Sequence, residues 1–206
     1  MQRGMANIMD EASYIKDGTA RLVVEMAKRE WPQQWPTFLT ELTSLAKGAG
    51  CEIQTELVLL VLLRLTEDVV TFQSIESASR RRDLHQALTA NMGEIFEFLS
   101  HLLQGTVATY QCHTAVQTSG DGNGVQAAQH CRLAKSTLQT LSALVDWIHI
   151  NHIMAQEGKI LEQLCLLLSD EHLHLEAANC LLQVSTTYQL HQSIKKHFWN
   201  LIQLHG

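Results

Sequence analysis

A chain of 206 residues is long enough for one sizeable core or for a short array of stacked units, so length alone selects no fold. The formal net charge of −6 argues against a protein that grips nucleic acid through a broad basic surface of its own, and leaves room only for a local basic site. The only prolines are Pro32 and Pro36, and the one glycine-rich stretch is Ser119 to Gly124; so few breakers favour long helices over a sheet with many turns.

Five cysteines, Cys51, Cys112, Cys131, Cys165 and Cys180, form no C-x-x-C pair and are odd in number, which argues against a disulfide framework and suits a reducing cytosolic or nuclear compartment. No apolar stretch follows a basic start, as a secretory signal would require. The longest apolar run, Leu57 to Leu63, falls far short of the ~20 residues of a membrane helix, so no membrane insertion is expected.

In chain order, Ile15, Leu22, Val23, Met26 and Ala27 recur at helical spacing and lead to Trp31-Pro32, where proline stops a first helix. Pro36 suits the first turn of a second helix, with Phe38, Leu39, Leu42 and Leu45 as its apolar positions. A third helix from Thr55 to Phe72 is apolar on nearly every side and is therefore expected to be buried on nearly every side. A fourth opens near Ser79 and carries Leu84, Leu88, Met92, Ile95, Phe96, Leu99, Leu102 and Leu103 to about Tyr110.

Residues 111–126 show no apolar periodicity and read as a mobile loop. A fifth helix carries Ala134, Leu138, Leu141, Val145 and Ile148; a sixth carries Ile160, Leu161, Leu164, Cys165 and Leu168. Ser169-Asp170 supplies capping side chains for a seventh, in which Leu175, Ala178, Leu181 and Leu182 are expected to face inward. An eighth, short amphipathic helix is expected over Ile194, Phe198, Leu201, Ile202 and Leu204.

The expected fold is all-α. The first and third helices begin about forty residues apart, within the ~40–47 of HEAT-type repeats, whose antiparallel helix pairs stack into an α-solenoid. A closed helical bundle fits the same periodicity.

Eleven histidines invite a metal hypothesis, with His149 and His152 or His172 and His174 as candidates. Neither spacing makes an H-E-x-x-H pair, and no metal or cofactor is expected. No G-x-S-x-G occurs, and Cys112-His113 stand at the edge of the expected loop, a poor place to position a nucleophile. Gly120, Gly122 and Gly124 precede no G-K-[ST]. Glu67 and Asp68 point about 100° apart on a helix and cannot easily share an acid–base site, nor do Glu25, Glu30 and Glu41 suggest one. The chain is therefore not expected to be an enzyme. Its one tight basic cluster is Arg80, Arg81 and Arg82, with a smaller pair at Lys195 and Lys196. Three arginines at the positive end of a helix oppose its macrodipole by ~0.3–1 kcal/mol each, which invites a partner for them.

One segment is more specific than any of these: Arg21 to Pro36, RLVVEMAKREWPQQWP. It resembles the repeat elbow of exportin-type nuclear transport receptors of the karyopherin superfamily, in which one helix ends in R-E-W-P-x-x-W-P and the next begins. The likeness continues through Gln54 to Val58, Leu63 to Gln73, Arg80 to Asp83, Val145 to Trp147 and Leu161 to Leu168, over roughly 8–184 in all.

The resemblance implies a HEAT-repeat solenoid that binds Ran in its GTP state together with double-stranded or hairpin RNA cargo, such as microRNA precursors and transfer RNA, and some proteins. It also implies contact with nucleoporins and shuttling between nucleus and cytoplasm, without covalent chemistry. Trp31, Pro32, Trp35 and Pro36 are then structural, and Arg80, Arg81 and Arg82 are the candidate contacts to RNA phosphate or an acidic partner, since guanidinium suits bidentate phosphate contacts. The chain is expected to begin inside such a receptor and to leave the family pattern over 185–206, as a truncated product or a partial gene model would. A HEAT-like interaction scaffold outside transport is the alternative.

Overall fold

The computed structural model describes residues 2–47, 52–71, 77–116 and 124–188, with no strand among them. The helices are α1 (Gln2–Glu30), α2 (Phe38–Ser44), α3 (Glu52–Thr71), α4 (Ala78–Val116), α5 (Gly124–Leu144), α6 (Ile150–Ile153), α7 (Ala155–Leu167) and α8 (His174–Tyr188); a 3-10 turn, Val145–Trp147, follows α5. None of the described helices is long and apolar enough to cross a membrane. The chain divides into two compact units, residues 1–88 and 89–206.

In the first unit, α1 and α3 are direct neighbours. Lys16 pairs with Glu56 and Lys28 with Asp68, both forty residues apart, so the two helices run parallel with a repeat of that length. Arg64 of α3 adds a third bridge, to Asp17. Between them the chain must reverse, and α2 belongs to that return. The core takes Val24, Ala27 and Trp31 from the first helix and its elbow, Phe38 and Leu42 from α2, and Val58, Leu59, Val61, Leu62, Leu65 and Val69 from α3. Each fully buried Leu or Val contributes ~1.5–3 kcal/mol relative to an exposed one. The face expected of α1 holds at Ala27 and is otherwise displaced: Ile15, Leu22 and Met26 are exposed, whereas Ala20 and Val24 point inward. Small residues let a neighbouring helix come close, and that contact outweighs the size of the apolar side chains it leaves outside. Leu45 of the second helix is likewise exposed.

In the second unit, α5 and α8 also run parallel: Leu138 and Gln139 lie across a groove from Leu175 and Glu176, and Asp146 receives Gln183 farther along. Helix α7 returns between them and meets α8 through the turn 168–173. His152 approaches Gly93, and Asp170 hydrogen-bonds Tyr110, so α4 and the α6–α7 segment advance together. With α6 and α7 counted as one arm, next-but-one arms are thus parallel and consecutive ones antiparallel within this unit, the alternation of HEAT-type pairs. The long apolar stripe of α4 is buried as its spacing requires, from Leu84 and Leu88 to Met92, Ile95, Leu99 and Leu103. Buried threonines do not break these helices, because Thr66, Thr106, Thr137 and Thr140 each donate to the carbonyl four residues back at 2.8 Å.

Two expectations differ from the structure here. The segment 111–126 is helical at both ends, since α4 runs on to Val116 and α5 opens at Gly124; residues 117–123 lie outside the described part. The hydroxyls of Thr109 and Thr114 are satisfied within α4 by the carbonyls of Gly105 and Tyr110, and Ala127 and Cys131 extend the buried stripe of α5 backwards. In α8, Leu175, Ala178 and Leu182 are exposed, and the inward residues are Ala177, Cys180, Leu181 and Val184. Asp170, whose carboxylate accepts from the backbone N–H groups of His172 and Leu173, starts this helix as expected, and α8 runs to Tyr188. The expected helix over 194–204 falls outside the described residues.

Two glycines inside α4 separate backbone entropy from packing. A Cβ at Gly105 would meet nothing within 4 Å, whereas one at Gly93 would lie 2.9 Å from Cε1 of His152. Gly105→Ala should raise stability by ~0.5–1 kcal/mol, and Gly93→Ala should gain less or lose, which urea melts of the two variants will check.

Burial pushes the Cys180 thiol up to about 12 and, by the same desolvation, raises the Cys131 and Cys165 thiols and the Tyr110 and Tyr188 phenols. Above the ordinary thiol value of ~8.5 the unfolded chain therefore loses these protons first, and stability falls as pH rises. Thermal melts should show a Tm that drops steadily from about pH 9 upward. A flat profile to pH 10.5 would contradict this assignment.

Candidate functional site

Helix α1 ends at Glu30 because Pro32 offers no N–H to continue it. The Trp31-Pro32 peptide is cis. The chain then turns on bonds from the N–H groups of Gln34 and Trp35 to the Glu30 carbonyl, at 2.8 and 3.2 Å. Trp31 is 1% exposed and packs on Phe38 with ring centroids 5.8 Å apart; Trp35 meets the same ring edge-on at 4.9 Å. Glu41 accepts from Thr37 Oγ1 and from the Trp35 indole N–H, and these two bonds, the Thr37 one first, hold its carboxyl below the usual range. The elbow is thus two tryptophans wedged on one phenylalanine, tied to the second helix through a carboxylate.

The arginine cluster lies against this elbow. Ser77 opens α4, its hydroxyl accepting from the Arg80 N–H at 3.4 Å. Arg80 then reaches the C-terminal end of α1: its Nε donates to the Lys28 carbonyl at 2.7 Å, and its Nη2 to the carbonyls of Ala27, at 3.3 Å, and Trp31. Its Nη1 donates to Gln33 Oε1, and Gln33 in turn donates to Asp83 at 3.1 Å. A cation at carbonyls left open by a helix end satisfies them and complements the negative end of the macrodipole. The partner that Arg80 seemed to require is therefore α1 itself. Arg82 is exposed, whereas Arg81 is half-buried, as Arg80 is.

Beneath the elbow, Lys28 is 5% exposed, and its ammonium sits between Glu25 at 2.5 Å and Asp68 at 2.7 Å. Burial works against its charge, but hydrogen bonds to Asp68 and Glu25, together with their negative charge, more than offset it and raise its pKa. Sequence reading treated Glu25 and Asp68 as loose carboxylates and missed Lys28; the spacing of Glu25 to Lys28 along one helix face was the available signal.

The other candidates do not converge. The His149 ring accepts from the Asn151 N–H and caps α6, while the His152 ring lies against Gly93 and Phe96. His174 Nδ1 meets the Asp170 carbonyl at 3.1 Å, and His172 contributes its backbone N–H to Asp170. His113 stacks on His130, rings 5.8 Å apart, and Cys112 is exposed. Among the described residues no three His, Cys, Asp or Glu side chains are grouped to hold a metal ion. Gly120, Gly122, Lys195 and Lys196 lie outside the described residues.

The family model for Exportin 1-like proteins matches residues 12–181. The chain is 49% identical to human Exportin-5 over 179 residues, 87% of this chain and 14% of that protein, and 47% identical to mouse Exportin-5 over 180 residues, with the same shares. It is 32% identical to Protein HASTY 1 of Arabidopsis thaliana over 163 residues, 79% of this chain and 13% of that one. The chain thus spans about one seventh of the length of these relatives.

Arg80→Ala should cost ~1.5–3 kcal/mol, because a charged donor is withdrawn from several carbonyls at once, whereas Arg82→Ala should lie within ~0.5 kcal/mol of the parent. Chemical denaturation of the two variants distinguishes the structural arginine from the solvent-facing one.

Proposed function

The chain belongs to the exportin family, and we propose that it is a repeat segment of a nuclear export receptor that acts with Ran in its GTP state and carries double-stranded or hairpin RNA. The observation that carries this reading is the colinear 49% identity to human Exportin-5 across 87% of the chain. The helix pairing in each unit fits it, since a receptor of this kind offers packed helices as a surface and performs no covalent chemistry. Cargo of this class includes microRNA precursors, transfer RNA and some proteins; passage through the pore adds nucleoporins as partners and makes the receptor shuttle between nucleus and cytoplasm.

Within the segment, Arg82 and its neighbour Arg81 are the contacts proposed for RNA phosphate or an acidic partner surface. The argument is positional: Arg80 is fixed on the carbonyls of α1, and the two guanidinium side chains beside it extend from the same first turns of α4. Phosphate contacts of this kind add affinity without reading sequence.

The test is the affinity of the chain for a hairpin RNA with a 3′ overhang in the presence of Ran-GTP, of Ran-GDP and of neither. Binding that requires the GTP form supports the receptor reading. Equal binding in all three, or binding to proteins alone, supports a HEAT-like scaffold instead. Replacing Arg81 and Arg82 together by alanine should weaken RNA binding and flatten the dependence of log K on log salt by roughly one unit per lost phosphate contact. An unchanged slope would remove both residues from the interface.

A further inference from the structure

The second unit carries an open groove of about 580 Å³ between the parallel helices α5 and α8. Residues spaced by three or four positions, and so set on one helix face, form its two walls. Gln139, Ser142 and Asp146 come from α5 and the turn after it, and Glu176, Asn179 and Gln183 from α8. All six are polar, and Gln139, Asp146 and Asn179 are exposed.

Charge selects the class of ligand. Among the described residues, the charged side chains that line the groove are Asp146 and Glu176, both acidic. Asp146 accepts from Gln183 Nε2 at 3.3 Å and from Thr187 Oγ1 at 2.6 Å. These donors are neutral, so they orient the carboxylate and leave its negative charge in place. A groove of that sign repels a phosphate backbone and draws in cations, the reverse of the arginine turns of α4.

Spacing selects the shape. The bond from Gln183 sets Asp146 at its own level, seven residues along α8 from Glu176, so the two carboxylates stand ~10.5 Å apart along the groove. A polyproline II segment has three residues per turn and rises ~3.1 Å per residue, which brings side chains i and i+3 to one side, ~9.3 Å apart. Its backbone makes no internal hydrogen bonds, so its N–H and C=O groups are open to side-chain amides. Asn179 lies between the two acidic ends and offers both a donor and an acceptor; Gln139 offers the same from the facing wall.

We propose that the α5–α8 groove binds an extended, cationic peptide segment with Lys or Arg at positions i and i+3. The two cations meet Glu176 and Asp146, and the peptide backbone between them meets Asn179. This site goes beyond RNA carriage: it belongs to the second unit alone and does not depend on binding of Ran or RNA.

The experiment is fluorescence anisotropy of the 206-residue chain with three labelled peptides: A-P-R-A-P-R-A-P, its isomer A-P-A-R-R-P-A-P, and A-P-E-A-P-E-A-P. The first should bind roughly threefold tighter than its isomer, which can place only one arginine on a carboxylate, and the glutamate peptide should not bind. Glu176→Gln should weaken the first peptide roughly threefold and flatten its salt dependence. Asn179→Ala should weaken it roughly fivefold with the salt dependence unchanged, because a neutral hydrogen bond is lost. Circular dichroism at the parent level will show that both variants remain folded. Equal affinity for the two arginine isomers would overturn the proposal, as would a complete lack of binding. So would an Asn179→Ala variant that binds like the parent while Glu176→Gln binds worse, since an acidic surface alone would then account for the attraction. Displacement of the peptide by a hairpin RNA would likewise count against it.

Discussion

A guanidinium that arrives from about fifty residues away holds the end of α1. Arg80 bonds the carbonyls of Ala27, Lys28 and Trp31, and in doing so joins the opening turn of α4 to the elbow that Trp31 and Phe38 build. Without a donor at that place the elbow would present a buried tryptophan beside unsatisfied carbonyls, and leaving such groups unpaired costs more than a formed bond returns. The path of the chain from the first helix through α2 and α3 to α4 is closed by this side chain, with the Gln33–Asp83 bond beside it.

The parallel contact of α1 with α3 depends on that closure. Its bridges, Lys16 to Glu56, Arg64 to Asp17 and Lys28 to Asp68, lie along a single seam, and the one with the most buried cation, at Lys28, stands one turn before the elbow. Two carboxylates meet this lysine and outweigh the cost of burying its charge. This makes the seam selective for one register rather than strongly stabilising, as buried ion pairs gain specificity more readily than net free energy. In the second unit the α5–α8 contact is held by neutral donors: Asp146 receives Gln183 and Thr187, and the Tyr188 hydroxyl bridges two carbonyls.

Much of this was legible in the sequence. The stripes of α3 and α4 are dense enough that spacing alone identified their buried residues, and the W-P-x-x-W-P segment marked the elbow. The faces of α1 and α8 were misread for a common reason: the largest apolar side chains, Ile15, Leu22, Leu175 and Leu182, point outward, while alanine and cysteine line the contacts where helices come close. Hydrophobic size is a poor guide where approach distance decides. The role of Arg80 could not have been read at all, because its partners are backbone carbonyls, which leave no mark on residue identity. What sequence did offer, three adjacent arginines, suggested one shared task where the fold sets Arg80 in an internal bond and leaves Arg82 exposed.

The forty-residue interval between paired positions of α1 and α3 also bears on how such a chain can change over evolutionary time. Gain or loss of a whole interval by gene duplication or exon exchange carries each charged contact to an equivalent place on the next helix. An indel of ten residues within the interval would instead slide the seam by almost three helical turns and set lysines against unrelated side chains. Length variation in this lineage is therefore expected in whole repeats or in the connecting segments, and scarcely ever inside the helices themselves.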